Sequence, residues 1–335
     1  MKKTLIALAA LAATGAAFAM SSVTLSGTID VGFEKRFSGD SFAMTGNRNG
    51  TSNWTLSGTE DLGGGLKANF YISTSFNSDD VTTAGNVLGN NGMFVELTGG
   101  FGTVRMGRPL NTLYGNALLA NGSKGVSLHD AIRVLGGNAH ASAKVGGASG
   151  SGYVPNAIQY HSPRFGGVRV QVEYAPREVK GPGTADGFGL AVRYHEGPLV
   201  LSFVNYKGAD VTANGVKQKA VNQLAAAYDF GVARVLFTWR DQGGLASDSD
   251  NSYALGVTAP VGRGSLYASY NVNEQVGTDG RTLIAGYKYN LSKRTQMYVN
   301  VANRNKAWLS ADVKAAGGKG GSSTTGFGFG LQHSF

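Results

Sequence analysis

Hydrophobic and polar residues alternate in steps of two along almost the whole chain after residue 22, and this period most limits what the chain can fold into. In the first segment Val23, Leu25 and Ile29 share one face, while Thr24 and Thr28 share the other. A period of two places successive side chains on opposite faces of a β-strand, whereas a helix repeats every ~3.6 residues. The pattern therefore predicts a protein built almost entirely of β-strands, each with one apolar and one polar face.

The connections between these segments alternate between short turns and longer polar stretches. The seven short turns are 61–65, 99–102, 163–167, 195–198, 229–231, 260–263 and 290–294. The eight longer stretches lie near 35–50, 78–90, 109–154, 176–185, 208–218, 242–250, 273–280 and 305–323. Short periplasmic turns, long external loops and an even strand number are typical of outer-membrane barrels. Fifteen connections therefore predict an all-β fold, a 16-stranded antiparallel transmembrane β-barrel with its apolar face toward lipid and its polar face lining a lumen.

Aromatic rings collect at the end of the predicted barrel that carries the short turns. They are Phe101, Phe165, Tyr194, Tyr228, Phe230, Tyr289 and Phe335. Rings at one membrane–water boundary form the aromatic girdle of an outer-membrane barrel. An exported soluble β-sandwich adhesin is an alternative, but a sandwich has no reason to confine its aromatic residues to one rim or to alternate short and long connections.

The N-terminus has the pattern of a cleaved secretory signal peptide. Lys2 and Lys3 precede a short apolar run, and the stretch 17–19 reads A-x-A. We therefore divide the chain into a signal peptide at 1–19 and an outer-membrane barrel at 20–335. The 335 residues include no Cys, which excludes a disulfide framework, a thiolate zinc site and a cysteine nucleophile. A helical membrane bundle is also excluded, because the rest of the chain lacks a long apolar run.

Motifs for catalysis or metal binding do not occur in the sequence. No H-E-x-x-H, G-x-S-x-G or EF-hand pattern is present. One pair, His129-Asp130, would suit an outer-membrane barrel enzyme, yet adjacent residues do not normally place a base against its orienting carboxylate. We expect no enzyme activity, no cofactor and no metal. The net charge of +9 could indicate nucleic-acid binding, but the basic residues alternate with apolar ones, so no nucleic-acid partner is expected.

The sequence also resembles the Gram-negative general porins, in particular their trimeric β-proteobacterial branch. The resemblance rests on the blocks Ser22–Gly27, Gly58–Ala68, Gly100–Arg108, Tyr160–Gly167, Tyr228–Ala233 and Leu291–Thr295 and on the terminal Phe335, which together span the mature chain. It implies a homotrimer in outer-membrane lipids whose long third external loop, about 109–154, folds inward and narrows the pore. It also implies that Phe335 is the signal read by the outer-membrane assembly machinery.

The inward-facing charged positions, assigned by alternation, are mainly basic. The basic ones are Lys67, Arg105, Arg169, Arg193, Arg234, Arg240, Lys288 and Arg304, and the acidic ones are Asp30, Glu34, Glu96 and Glu173. Rings of Arg and Lys favour anions, and fixed charge acts over about 8 Å at physiological salt. The lumen is therefore expected to be positive.

The candidates for pore constriction and selectivity are chosen around the long loop. Arg105 and Arg108 lie on the strand that leads into it, and Arg133 lies on the loop. The remaining candidates are the loop residues Lys124 and Asp130 and the wall residues Arg169 and Arg193. Their summed field predicts a modest anion preference.

Two arginines of the family pattern are replaced by neutral residues. Asn53 stands where the second strand of these porins usually carries Arg, and Asn91 lies where anion-preferring members often carry Arg at the start of the fourth strand. The sequence as a whole predicts a porin in the outer membrane of a Gram-negative bacterium, which forms a water-filled channel for passive diffusion of small hydrophilic solutes and ions.

Overall fold

The computed structural model describes residues 22–35, 42–80, 88–121, 152–177, 186–208, 212–213, 216–217, 220–241, 251–275, 278–305 and 324–335. The expected signal peptide and the loop residues Lys124, His129, Asp130 and Arg133 lie outside the described residues. Within the described part no helix is long and apolar enough to span a membrane.

The described chain consists of strands and a single helix, α1 (Thr112–Asn121). The strands are β1 (Ser22–Lys35), β2 (Phe42–Gly46), β3 (Asn53–Gly63), β4 (Leu66–Ser75), β5 (Met93–Gly99), β6 (Gly102–Arg108), β7 (Ala157–His161), β8 (Val168–Ala175), β9 (Gly187–Glu196), β10 (Leu199–Lys207), β11 (Thr212–Ala213), β12 (Val216–Lys217), β13 (Val221–Asp229), β14 (Arg234–Asp241), β15 (Asn251–Val261), β16 (Gly264–Gln275), β17 (Thr278–Asn290), β18 (Thr295–Arg304) and β19 (Thr325–Ser334).

The strands close into one antiparallel barrel. Neighbours in sequence pair with each other, and β1 pairs with β19, so that Thr28 lies opposite Ser334. The hairpin β11–β12 forms a separate two-stranded sheet in the connection between β10 and β13. Closure satisfies the backbone groups of what would otherwise be two open edges, which the hydrocarbon region of a membrane requires.

The second strand of the barrel is interrupted. β2 pairs with one half of β1, with Gly46 opposite Val31, and β3 pairs with the other half, with Asn53 opposite Thr28. β2 and β3 are therefore two parts of one barrel strand, and the predicted total of sixteen strands is confirmed. The sequence-based boundary of the first long loop, 35–50, was wrong, because 42–46 is paired strand.

The barrel has the inverse polarity of a soluble protein. On β10 the apolar Leu201 and Phe203 are exposed on the outside, whereas Ser202 between them is buried on the inside. The same alternation on β14 exposes Phe237 and buries Thr238. An exposed apolar outer face and a polar inner face are what a lipid-embedded barrel requires.

The short turns form one rim of the barrel. The turn between β3 and β4 uses Gly64 and Gly65, whose φ angles of +61° and +81° lie in the left-handed region that favours glycine. Exposed rings lie at this rim, among them Phe101, Phe165 and Phe230, and the ring of Phe230 lies 4.6 Å from that of Tyr228. This rim is the periplasmic end of an outer-membrane barrel, because short turns face the periplasm.

Candidate functional site

The long third loop enters the barrel at its start. α1 packs against β8, β9, β10, β13 and β14. Leu113 of α1 is buried in an apolar cluster with the inward-facing side chains Ala191, Val204, Tyr206 and Val221. The first part of the loop thus lies inside the barrel, as the resemblance implies. The alternation of the sequence did not predict that this part is helical.

The buried carboxylate of Glu173 fixes α1 to the wall. Its Oε2 accepts hydrogen bonds from Thr112 N at 2.8 Å, from Thr112 Oγ1 at 3.0 Å and from Gln159 Nε2 at 2.7 Å. Thr112 is the first residue of α1, where backbone N–H groups lack partners within the helix. A carboxylate at this position also complements the positive end of the helix dipole.

A glycine allows the close approach of α1 to the wall. A Cβ at Gly189 would lie 2.9 Å from Cβ of Thr112 and 3.0 Å from Cδ2 of Tyr206. These distances are shorter than side chains tolerate. The glycine on β9 therefore sets how deeply the start of the loop can seat against the lumen wall.

A second segment turns inward where β2 and β3 are interrupted. The fully buried carboxylate of Asp30 accepts hydrogen bonds from the backbone N–H groups of Asn49 at 2.5 Å and Gly50 at 2.7 Å, and from the hydroxyl of Tyr298 at 2.7 Å. Segment 47–52 is thereby attached to β1 and β18. The Asn- and Gly-rich run in this segment is a turn signal that could have located the interruption.

The inward segment places a basic residue that the sequence analysis did not include. Arg48 forms an ion pair with the buried Glu34 at 2.5 Å and donates to Thr45 Oγ1 at 2.9 Å. Its side chain is 15% exposed. Arg48 is therefore a lumen guanidinium whose charge is largely compensated by Glu34.

Loss of the Asp30 carboxylate should loosen the inward segment. Asp30→Ala leaves the N–H groups of Asn49 and Gly50 and the hydroxyl of Tyr298 without their acceptor, and each unsatisfied buried group costs about 1–3 kcal/mol. We expect the free energy of unfolding in urea to fall by about 2–5 kcal/mol. Asp61→Ala, at the exposed end of β3, is the control and should change it by less than about 1 kcal/mol. Equal stabilities of the two variants would contradict the anchoring role of Asp30.

Arg105 is held rigidly on the lumen wall. Its Nε and Nη2 lie 2.8 and 2.7 Å from Oε2 of Glu96, and its Cζ lies 4.0 Å from the ring centroid of Phe94. Phe94 stacks in turn on Tyr71, with centroids 4.9 Å apart. This wall carries a fixed guanidinium, a compensating carboxylate and two stacked rings at the height where the long loop begins.

Arg108 is half-buried at the end of β6. It follows Gly107, whose φ of +134° lies in the region that favours glycine, and it lies opposite Met93 in an unshifted register with β5. The charge of Arg108 interacts with Tyr153, where the long loop returns to the wall. A side chain at Gly92 would meet this same Tyr153 ring and that of Tyr71, so Tyr153 lies on the lumen side.

The wall residues Arg169 and Arg193 lie directly opposite each other on β8 and β9. Arg169 is exposed to the lumen, and Arg193 is partly buried. His161 on β7 lies within the electrostatic range of both Arg105 and Arg169. The structure thus brings the described basic candidates together on adjacent strands, β6 to β9, whereas Lys124, Asp130 and Arg133 lie outside the described residues.

Asn53 and Asn91, at positions where the resemblance implies arginine, belong to a neutral hydrogen-bond network. Asn91 Nδ2 donates to Ser73 Oγ at 2.9 Å, and Thr55 Oγ1 donates to the same oxygen at 2.9 Å. Thr55 lies 3.3 Å from Oδ1 of Asn53. The hydrogen-bonded atoms of this network are polar and uncharged.

Comparison with known proteins agrees with this architecture. A model of the Gram-negative porin family matches residues 4–307. The chain is 36% identical to outer membrane porin protein 32 of Delftia acidovorans, with 100% of both chains covered. It is 28% identical to major outer membrane protein P.IB of Neisseria meningitidis serogroup B, again over 100% of both chains.

Solved structures show the same fold. The anion-selective porin from Comamonas acidovorans superposes with a TM-score of 0.75 at 30% identity, covering 94% of this chain and 100% of that one. A mutant of the Rh. blastica porin superposes with a TM-score of 0.66 at 15% identity, covering 94% of this chain and 100% of that one, which supports the fold alone. The barrel, its inward loop and these similarities establish that the chain belongs to the Gram-negative porin family and forms a diffusion channel in the outer membrane.

Proposed function

We propose that this porin prefers anions modestly and passes small hydrophilic solutes and anions as a homotrimer. The observation that carries the preference is the set of inward-facing arginines Arg105 on β6, Arg169 on β8 and Arg193 on β9, beside the inward loop. The name of the Comamonas acidovorans relative, an anion-selective porin, supports the same sign of selectivity.

The burial of the inward acids explains why the field of the lumen is positive. Asp30, Glu34 and Glu173 are at most 1% exposed, and each accepts hydrogen bonds from neighbouring groups. Arg169, in contrast, is exposed to lumen water. The inward Lys288 and Arg304 are buried as well, so the exposed Arg169 is a basic charge that an ion in the channel meets directly.

Ion pairs keep the preference modest. Glu96 compensates Arg105, and Glu34 compensates Arg48. Charge that remains is screened over about 8 Å at physiological salt, so it acts in a narrow passage and fades in a wide mouth. We propose that Arg108, Arg133 and Lys124, with Asp130, complete the selectivity region at the constriction, and that Arg169 and Arg193 act as wall charges.

The two ends of the chain have proposed roles in export and assembly. Residues 1–19 act as the cleaved signal peptide, and the terminal Phe335 is recognised by the outer-membrane assembly machinery. Phe335 also completes the seam of the barrel, because its backbone exchanges hydrogen bonds of 3.0 and 3.1 Å with Gly27. Transport is passive in this proposal, with no cofactor, no metal and no covalent step.

Reconstitution of purified protein in a planar bilayer tests the proposed trimeric channel. We expect stable stepwise openings that occur in groups of three equal conductance levels. As a control for an intact barrel, unheated protein should migrate differently on a gel from boiled protein. Folded protein without conductance would contradict a channel, and single isolated steps would contradict the trimer.

A further inference from the structure

Four arginines gather at the periplasmic end of the lumen. Arg193 experiences the positive charges of Arg164, Arg169 and Arg234. Arg164 lies in the turn before β8, and Arg234 is the first residue of β14. We call these four residues the periplasmic arginine cluster.

The pairing of Arg169 with Arg193 is unusual for a cross-strand pair. Like charges directly opposite each other on neighbouring strands are destabilising. Elsewhere on the same wall Arg105 lies opposite Glu96, and at the same rim Lys67 lies opposite Asp61. Of these three pairs, only Arg169 and Arg193 place two like charges at opposed positions, so this pair favours a negatively charged third group beside it.

Four described inward positions of the wall near the cluster are uncharged. Between Arg193 on β9 and Arg234 on β14, the inward positions of β10 and β13 include the uncharged Val200, Ser202, Ala225 and Ala227. The carboxylate of Glu173 is buried and bound to Thr112. Asp229 lies opposite Arg234, and its Oδ1 accepts a hydrogen bond from Gly231 N at 2.8 Å within the turn.

The chemistry of the cluster matches one class of ligand. A guanidinium presents a planar fork of donors that pairs with two oxygens of a phosphate or carboxylate group. Two guanidinium groups together bind one group with two negative charges and several oxygens better than they bind a monovalent ion. Phosphate has that charge and that number of acceptors.

We propose that the periplasmic arginine cluster is a saturable binding site for dianionic phosphate groups at the periplasmic mouth of the channel. The inference rests on the proposed anion preference and goes beyond it. The summed field of the lumen acts on every anion in proportion to its charge, and its effect does not saturate with anion concentration. Binding at a site formed by the arginine cluster does saturate, and phosphate reaches that site more readily from the periplasmic mouth.

Block of chloride current by inorganic phosphate tests the site. In wild-type channels at low ionic strength and mildly alkaline pH, phosphate should reduce the single-channel current along a saturable curve. In each inserted channel, phosphate added on one side of the membrane should block the chloride current at a lower concentration than phosphate added on the other side. Arg169→Gln should raise the half-blocking concentration about tenfold, since each tenfold corresponds to about 1.4 kcal/mol and charged hydrogen bonds contribute at least that much.

Lys67→Gln is the matched control for this test. Lys67 and Arg169 are both exposed, and each is the second residue of a strand that follows a short turn ending in glycine. Each substitution therefore removes one charge at a similar depth in the channel. The half-blocking phosphate concentration should stay within about twofold of wild type in Lys67→Gln. Equal increases in the two variants would overturn a local site and leave only a summed field.

A salt-gradient measurement in the same membranes separates this inference from the proposed function. Anion preference without saturable phosphate block would overturn the site and leave the proposed function intact. A cation preference of the wild type would overturn both. Saturable, one-sided block that is weakened by Arg169→Gln and retained in Lys67→Gln would support the site.

Discussion

Replacement of Glu173 by Ala should open and destabilise the channel more than any other single substitution in the lumen. The carboxylate is buried, and its Oε2 accepts three hydrogen bonds, two from Thr112 at the start of α1 and one from Gln159. The variant leaves these donors unsatisfied, at about 1–3 kcal/mol each. We expect the free energy of unfolding in urea to fall by about 3–5 kcal/mol and the single-channel current to become larger and noisier.

Two further variants make the Glu173 prediction specific. Gly189→Val should displace Thr112 while the carboxylate stays in place, so it should also increase current noise. Glu196→Ala, an exposed residue at the periplasmic rim, should leave conductance and stability close to wild type. A folded Glu173→Ala barrel with the conductance and noise of wild type would show that this anchor does not position the loop.

Combined neutralisation of the constriction arginines should shift selectivity toward cations. In Arg105→Gln/Arg108→Gln/Arg133→Gln three positive charges are lost near the long loop, and Glu96 loses the ion pair that compensates it. The carboxylate of Glu96 then contributes negative potential to the passage. The local field therefore changes more than it would from the loss of three positive charges alone. We expect the reversal potential in a salt gradient to change sign.

The control for this triple variant removes the same charge elsewhere. Arg263, Arg281 and Arg294 are exposed residues near the strand ends. Their combined replacement by Gln should shift the reversal potential far less, because screening over about 8 Å confines the effect of distant charges. An unchanged reversal potential in the constriction variant would remove Arg105, Arg108 and Arg133 as the selectivity filter.

The alternation of the sequence was sufficient to predict the barrel. Each strand has a local signature, because the side-chain period of two and the glycine turns depend on neighbouring residues alone. It also predicted correctly that Asp30, Glu34, Glu96 and Glu173 face inward. The number of strands followed from the alternation of short and long connections.

The roles of those acids could not be predicted, because they depend on partners distant in sequence. Asp30 binds Tyr298 across the seam, and Glu173 binds Thr112 at the start of the inward loop. The sequence predicted that Asp30 and Glu173 are charges of the lumen. In the structure both carboxylates are buried, and each attaches an inward segment to the wall. The interruption between β2 and β3 has a local turn signal in its Asn- and Gly-rich run, but its attachment to Asp30 is not local.

The proposed positive lumen depends on which charges remain exposed as well as on the balance of charges in the sequence. Arg169 is exposed, while the acids are buried or paired. In the proposed function, this exposure lets the wall favour anions although Asn53 and Asn91 stand where the resemblance implies arginine. It also limits the size of the preference.

The zero-current potential of the wild-type channel across a potassium chloride gradient tests the central claim most directly. Potassium and chloride have nearly equal mobilities in water, so the sign of the potential reports the fixed charge of the passage. An anion-preferring channel gives a potential displaced toward the chloride equilibrium potential, and raising the salt concentration on both sides should reduce that displacement through screening. A potential displaced toward the potassium equilibrium potential would contradict an arginine-lined, anion-preferring pore.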